Sequence, residues 1–303
     1  MVEQHLSGQR VRKLSRVLAL VSQRENPTNV RLAAAAPPGF EVELVPPADA
    51  LGLLGPDDAA LSRLDVLPTL DGIEPGTWEI GRLEAGGIPV LNRLRALLTT
   101  HDKLQTSRVL LAARLPHPRT VHLVTAREKV AVEPPVVVKP RFGSWGRDVA
   151  LCTDHAELTE TLEALSSRAW FRKQGVLVQE LVPPLGQDLR VVVAGGAIVG
   201  AVRRQAADGE WRTNVALGAE RQSVDPPGAA LELALAAAAA SGADLVGIDI
   251  LPTPEGGWTV IELNGAVEFT DEYSLDRDVF EAATEKLVAA IPPREATAVA
   301  AFA

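Results

Sequence analysis

Short apolar runs alternate with polar, Gly- and Pro-containing stretches through the N-terminal third of the chain: Val17 to Val21, Val42 to Val45, Val66 to Leu70 and Ile88 to Leu91. Each run suits a short buried strand and the intervening stretches are long enough for helices, which predicts a small α/β layer domain with its first strand over residues 15–22. A second unit is expected to open near Thr99 with a helix carrying Asp102 and Lys103. A strand at Val136-Val137-Val138-Lys139, a Gly-rich loop over 141–147 and a strand at Asp148 to Leu151 follow. Asp154 and Glu157 have capping-box spacing and Leu158, Leu162 and Leu165 recur at helical intervals, so a helix is predicted over 155–168, then a strand from Val176 to Val182.

The remaining pattern predicts strands at Leu189 to Val193 and Ala197 to Arg203 around Gly195-Gly196, and a buried helix in the Ala-rich run Ala229 to Ala240. That run contains Glu232 and is too short to span a bilayer. A last helix is expected over 276–290, and the tail beyond Pro292, which has no polar face, is read as unstructured. These shifts divide the chain into 1–98, 99–185 and 186–303, with no internal repeat.

One pair of runs carries chemistry. Leu245 to Leu251 and Trp258 to Asn264 flank the Pro- and Gly-rich stretch 252–257, a hairpin pattern. A turn centred between Glu255 and Gly256 places Asp249 opposite Glu262, with Asn264 on the same face. Facing carboxylates among apolar neighbours repel unless a cation intervenes. Oxygen ligands without His or Cys suit Mg²⁺ or Mn²⁺, whose open positions would take phosphate oxygens. The alternative is a solvated surface hairpin. Lys139 at a strand end, before a Gly-rich loop whose backbone N–H groups can approach phosphate, fits the same reading; alone it would be an ordinary surface lysine. Arg203, Arg204, Arg212 and Asn214 add cations and amide donors suited to carboxylate or phosphate, salt bridges to Asp208 and Glu210 being the alternative for Arg203 and Arg212.

Composition narrows the partners. The 303 residues are 47% hydrophobic, enough for two or three domains, and 39 acidic against 30 basic residues leave a net charge of -9 that excludes a general nucleic-acid or membrane-surface binder. A single cysteine, Cys152, excludes an internal disulfide framework, and neither a long apolar span nor a signal-peptide core is present, so a cytoplasmic protein is expected. His5, His101, His117, His122 and His155 lack metal-ligand spacing. The Walker and protein-kinase motifs are absent.

Taken in order, Asp102-Lys103, Val138-Lys139-Pro140, Gly143-Ser144-Trp145-Gly146-Arg147, Gln179-Glu180-Leu181, Asp188-Leu189-Arg190, Arg204-Gln205, Arg212-Thr213-Asn214, Asp249-Ile250 and Glu262-Leu263-Asn264 resemble the ATP-grasp superfamily. Within it the chain is similar to the RimK-type glutamate ligases and LysX-type carrier-protein amino-acid ligases, from about Asn92 to Ile291. The resemblance implies an α+β ATP-grasp fold: an N-terminal α/β pre-ATP-grasp domain, then two subdomains clasping ATP. It implies that Lys103 and Lys139 meet ATP phosphates, that the loop from Gly143 to Arg147 closes over them, and that Glu180 and Leu181 hold adenine. Asp188 would hold the ribose and Arg212 would join the nucleotide-binding cations. Asp249, Glu262 and Asn264 would bind magnesium, and Arg204 and Asn214 would sit near an acyl phosphate. The implied reaction joins a carboxylate of an amino acid, peptide or carrier protein to an amine. Related ligases are often dimers or tetramers, so a homo-oligomer is among the implied forms. A phosphotransferase and a non-catalytic ATP-binding module are the alternatives. Asn264 to Phe269 looks closer to the LysX-like pattern, and Asn214 to Gly218 lacks the Arg-Gly-Gly ending common in both groups.

Overall fold

A computed structural model describes residues 15–291; His5, the leading segment and the tail, with the readings attached to them, lie outside the described residues. The N-terminal layer contains β1 (Arg16–Val21), α1 (Pro27–Ala34), β2 (Phe40–Val45), α2 (Pro47–Leu53), β3 (Ala59–Ser62), α3 (Thr77–Ala85) and β4 (Val90–Leu91). Its four-stranded sheet runs β2-β1-β3-β4, with every pair parallel. Both faces of β1 are covered: Leu18 and Leu20 enter one core, Ala19 and Val21 the other, as alternation along a buried parallel strand requires.

Two helices lead onward, α4 (Leu94–His101) and α5 (Lys103–Ala112). The single helix expected near Thr99 is therefore broken at Asp102, whose extended backbone ends α4 and whose carboxylate caps α5 by accepting from Leu104 N. The central sheet combines β5 (Thr120–Leu123), β6 (Val136–Pro140), β7 (Ala150–Cys152) and β8 (Val176–Glu180) in the order β5-β8-β6-β7, antiparallel, under α6 (His155–Ser166) and α7 (Ala169–Gln174). Asp154 caps α6 as predicted, but Glu157 reaches back to Thr153 N rather than to the cap residue.

The C-terminal sheet has five strands in the order β11-β10-β9-β12-β13, antiparallel throughout: β9 (Gln187–Ala194), β10 (Ala197–Gln205), β11 (Glu220–Gln222), β12 (Leu245–Pro252) and β13 (Trp258–Asn264). α8 (Gly228–Ser241) packs on one face and ends at Gly242 in the left-handed conformation. α9 (Val279–Ala290) starts later than the predicted 276, because Asp278 provides its cap.

One expectation fails. Val66 to Leu70 is not a strand: Val66 makes a lone bridge to Ile73 and Leu70 turns at φ 60, while β3 supplies the third N-terminal strand. Pro68 interrupts that run and removes a ladder donor.

The N-terminal and C-terminal layers share a core in which Leu18, Leu20 and Leu61 pack with Phe269, Tyr273 and Phe280. Burying a leucine of this kind contributes about 1.5–3 kcal/mol. Polar groups pin the same seam. Arg63, 2% exposed, donates to the carbonyls of Gly265 (3.4 Å) and Val267 (2.8 Å). Asn92 Nδ2 donates to Gly265 O at 3.2 Å, and Thr28 Oγ1 exchanges hydrogen bonds with the backbone of Phe269. Gly265 has no room for a side chain, since a Cβ there would lie 2.2 Å from Thr100 Oγ1.

Candidate active site

The end of β13, the strand pair β6–β8 and the loop after β6 border one cleft, lined by Lys103, Lys139, Gly143, Ser144, Trp145, Gly146, Arg147, Glu180, Leu181, Asp188, Arg204, Arg212, Asn214, Asp249, Glu262 and Asn264; Arg203, the other candidate cation, does not line it. Their convergence follows from the sheets. In β12–β13 Asp249 stands opposite Glu262, the predicted pair, although the turn is centred on Glu255, with Pro252 opposite Trp258, rather than between Glu255 and Gly256; Asn264 stands opposite Gly247. A bulge at Ile261 shifts the register nearer the turn, so both Ile261 and Glu262 border the cleft.

The facing carboxylates are compensated by side chains rather than left to repel. Arg190 grips Asp249 in bidentate fashion, at 2.6 and 2.7 Å, and Arg204 Nη2 lies 2.9 Å from the same carboxylate. Arg204 also forks onto Asp188, which accepts in addition from Thr213 Oγ1 at 2.6 Å. Burial alone would raise the Asp249 carboxyl, but the guanidiniums of Arg190 and Arg204 hold it well below the usual carboxylate range. Glu262 is met by Lys103, whose Nζ donates to its Oε1 and to Gly143 O, both at 2.7 Å. The repulsion that suggested a metal is thus already answered by protein cations.

The fit of a divalent cation rests on other observations. Asp249, Glu262 and Asn264 present hard donors at one edge of the cleft, and Asn264 Nδ2 is buried with no hydrogen-bond partner. Rotating the amide to exchange its O and N turns that orphan into a free oxygen ligand. Among the described residues, no group of three or more His, Cys, Asp or Glu side chains could hold a metal. An ion here would depend on oxygens from a bound ligand, as Mg²⁺ does at phosphate sites.

Lys139 is 7% exposed and donates to Gln179 Oε1 at 2.7 Å. Burial pushes its pKa down to about 8, assisted by Lys103 and opposed by Glu262. Trp145, Gly146 and Asp148 adopt left-handed backbone in the glycine-rich loop. A Cβ on Gly146 would lie 3.0 Å from Asn214 Oδ1, so this loop and Asn214 face each other closely. Arg212 braces the loop: it donates to the carbonyls of Gly146 (3.2 Å) and Val149 (3.4 Å) while Glu210 grips it at 2.8 and 2.9 Å. The salt-bridge alternative therefore holds for Arg212, which reaches Glu210 and steadies the loop through backbone carbonyls.

Two carried-over roles meet geometry that narrows them. Asp188 is 2% exposed with its carboxylate engaged by Arg204 and Thr213, an anchor for Arg204 more than a free partner for a sugar. The N–H of Leu181 donates to Pro135 O at 3.2 Å, which leaves the exposed Glu180 as the freer group of that pair. Arg190, Gln179, Arg221 and Tyr273 line the cleft without having been singled out as site residues. In sequence Gln179 and Arg190 stand in the motifs Gln179-Glu180-Leu181 and Asp188-Leu189-Arg190, and no local signal marks Arg221 or Tyr273.

A RimK-like ATP-grasp domain model matches residues 100–291. The chain is 31% identical over 191 residues to glutamate–LysW ligase ArgX of Sulfurisphaera tokodaii, 62% of this chain and 68% of that protein. It is 35% identical over 187 residues to α-aminoadipate–LysW ligase LysX of Sulfolobus acidocaldarius, 59% of this chain and 66% of that protein, so the match spans just under two thirds of LysX. Superposition on the RimK domain ATP-grasp protein of Sphaerobacter thermophilus gives a TM-score of 0.65 at 24% identity, over 90% of this chain and 99% of that one.

Proposed function

This chain belongs to the RimK-like ATP-grasp family, and from that premise we propose how its residues divide the work of an ATP-dependent ligase that joins a carboxylate to an amine. The observation that carries the reading is the convergence, in one cleft, of the Asp249–Glu262–Asn264 edge, the cations Lys103 and Lys139, and the glycine-rich loop. Residues 1–98 shape the substrate side, 99–185 cover the nucleotide and 186–303 carry the acidic edge. Glu180 and Leu181 hold the adenine, and Asp188 anchors Arg204.

The substrate carboxylate attacks the γ-phosphorus of ATP, forming an acyl phosphate and releasing ADP. The amine nitrogen then attacks the acyl carbon, phosphate leaves with the bonding electrons, and the amine gives up its proton. Lys103 and Lys139 counter the phosphate charge, Arg204 and Asn214 flank the acyl phosphate, and the loop from Gly143 to Arg147 keeps water away. Asp249, Glu262 and Asn264 would hold Mg²⁺ or Mn²⁺, which when bound neutralises phosphate charge.

Two relatives carry glutamate or α-aminoadipate together with LysW in their names. By analogy the amine proposed here belongs to an amino acid, and the carboxylate to a small molecule, a peptide or a carrier-protein C-terminus. Among the described residues no helix is long and apolar enough to cross a membrane, and we place the enzyme in the cytoplasm. A homo-oligomer remains part of the proposal, checked by light scattering. The decisive experiment follows magnesium-dependent ADP and phosphate release across pools of amino acids and short peptides, with mass spectrometry of the products. A product lighter by one water than its summed substrates is expected; ADP release that no amine stimulates would sink the ligase reading.

A further inference from the structure

The edge strand β11 places a cation where the sheet itself does not need one. Arg221 pairs in register with Arg204 of β10, so two like charges stand directly opposite, an arrangement that costs stability by itself. Arg204 is compensated by Asp188 and Asp249, and Asp249 also takes both bonds of Arg190. No carboxylate of that lattice is left for Arg221. Its Nη1 reaches Glu272 Oε2 at 3.1 Å, a partner 53% exposed that also accepts from Thr270 Oγ1. Its Nε is buried without any partner, and the side chain borders the same cleft as Tyr273, which is 1% exposed. An unpartnered guanidinium N–H costs free energy that an anionic ligand would recover.

The geometry points to Arg221 as a specificity residue that binds a carboxylate of the amino-acid substrate, distinct from the carboxylate that is phosphorylated. This inference rests on the ligase reading. The fork of Arg221 would meet that group from the β11 side of the cleft, while Lys103, Lys139 and the Asp249–Glu262 edge serve the phosphates. The amino-acid amine proposed above would then be selected by its own carboxylate through Arg221, and a simple amine or a carboxamide would be a poor acceptor. The bond to Glu272 fixes only the far end of the guanidinium and becomes exchangeable when substrate arrives.

The test compares each common amino acid with its own α-carboxamide as amine substrate, in full-length wild type and in Arg221→Gln, Arg221→Lys and Glu272→Gln. Losing one charge-assisted contact predicts that Arg221→Gln raises KM for the amino acid about 10- to 100-fold, leaving kcat and the KM for ATP within about threefold. The carboxamide should be nearly indifferent to that change, and Arg221→Lys should restore part of the preference. Glu272→Gln should leave KM unchanged or lower it; if Arg221 served only to hold Glu272, the two variants would behave alike. Amine-dependent turnover that is unaltered in Arg221→Gln, or that falls equally for acid and carboxamide, overturns the assignment to Arg221. ADP formation in wild type that depends on no amine overturns the ligase reading and this inference with it.

Discussion

At the residue scale, Lys139 is the side chain whose ionisation should be visible in binding. Its pKa is lowered to about 8 by burial, so above that pH the ligand-free native state holds fewer protons than the unfolded chain, where lysine titrates near its usual value. Stability from this group therefore rises with pH between about 8 and 10.5, and below about 8 burial of the charged amine is a cost. A bound phosphate reverses the preference, so ATP binding near pH 8.5 should take up protons, seen by calorimetry as a dependence on buffer ionisation enthalpy. In Lys139→Met that uptake should vanish and the ATP Kd rise by about 10-fold or more, through one lost charge-assisted contact. Asp249 and Glu262 should separate in the same spirit. Asp249→Asn strips the buried guanidiniums of Arg190 and Arg204 of a counter-charge and should cost about 3 kcal/mol or more, read in a denaturant melt. Glu262, only partly buried, should tolerate Ala in the same melt while metal-dependent turnover disappears. The pairing of Asp249 with Glu262 matched the sequence reading only through two offsetting differences: the turn is centred on Glu255, and the bulge at Ile261, which has no local sequence signal, shifts the register back by one. The pairing of Arg190 with Asp249 and the place of Arg221 opposite Arg204 were not legible in the sequence, because these partners sit on strands brought together only by the folded sheet.

At the scale of elements, the helix break at Asp102 shows why Lys103 lies where it does. Asp102 caps α5 and is held by Arg141, whose Nη2 donates to Oδ2 at 2.5 Å, so the first turn of α5 is fixed beside the loop that follows β6. From sequence this stretch read as one helix, since the apolar period continues through the break and a cap aspartate inside a helical pattern is easily taken for a surface charge. The end of β13 is fixed as tightly. Gly265→Ala would drive a methyl into Thr100 Oγ1 and, at 3.2 Å, against Thr100 Cβ, displacing Asn264 beside it. Overpacking of this kind costs about 1–3 kcal/mol. The expected result is a lower melting temperature together with lost turnover, and Thr100→Ala in the same chain should recover part of the stability; a fully active Gly265→Ala would show that Asn264 tolerates displacement.

For the whole molecule, the distribution of cores predicts how it opens. The N-terminal and C-terminal layers share one hydrophobic cluster, whereas the central sheet encloses its own around Val136, Leu158, Trp170 and Phe171. Hydrogen exchange should therefore show β1, β9 and β10 protected to a common free energy, with the central strands opening independently and at lower cost. Protection of β1 that is lost well before that of β10 would mean that the shared cluster does not couple the layers. The joint core was not readable from the sequence, because Phe269, Tyr273 and Phe280 lie in an irregular segment and a late helix with no local sign of their partners.

The seam around Gly265 also limits how such ligases can be recombined. A chimera that takes its first hundred or so residues from another ligase replaces Thr28, Arg63 and Asn92, the side chains that hold the carbonyls of Gly265, Val267 and Phe269. Transplanting another N-terminal layer onto the rest of this chain would alter the seat of Asn264 unless those three anchors travelled with the recipient. Acceptor preference is therefore more safely retuned by grafting cleft-facing loops than by exchanging the layer entire.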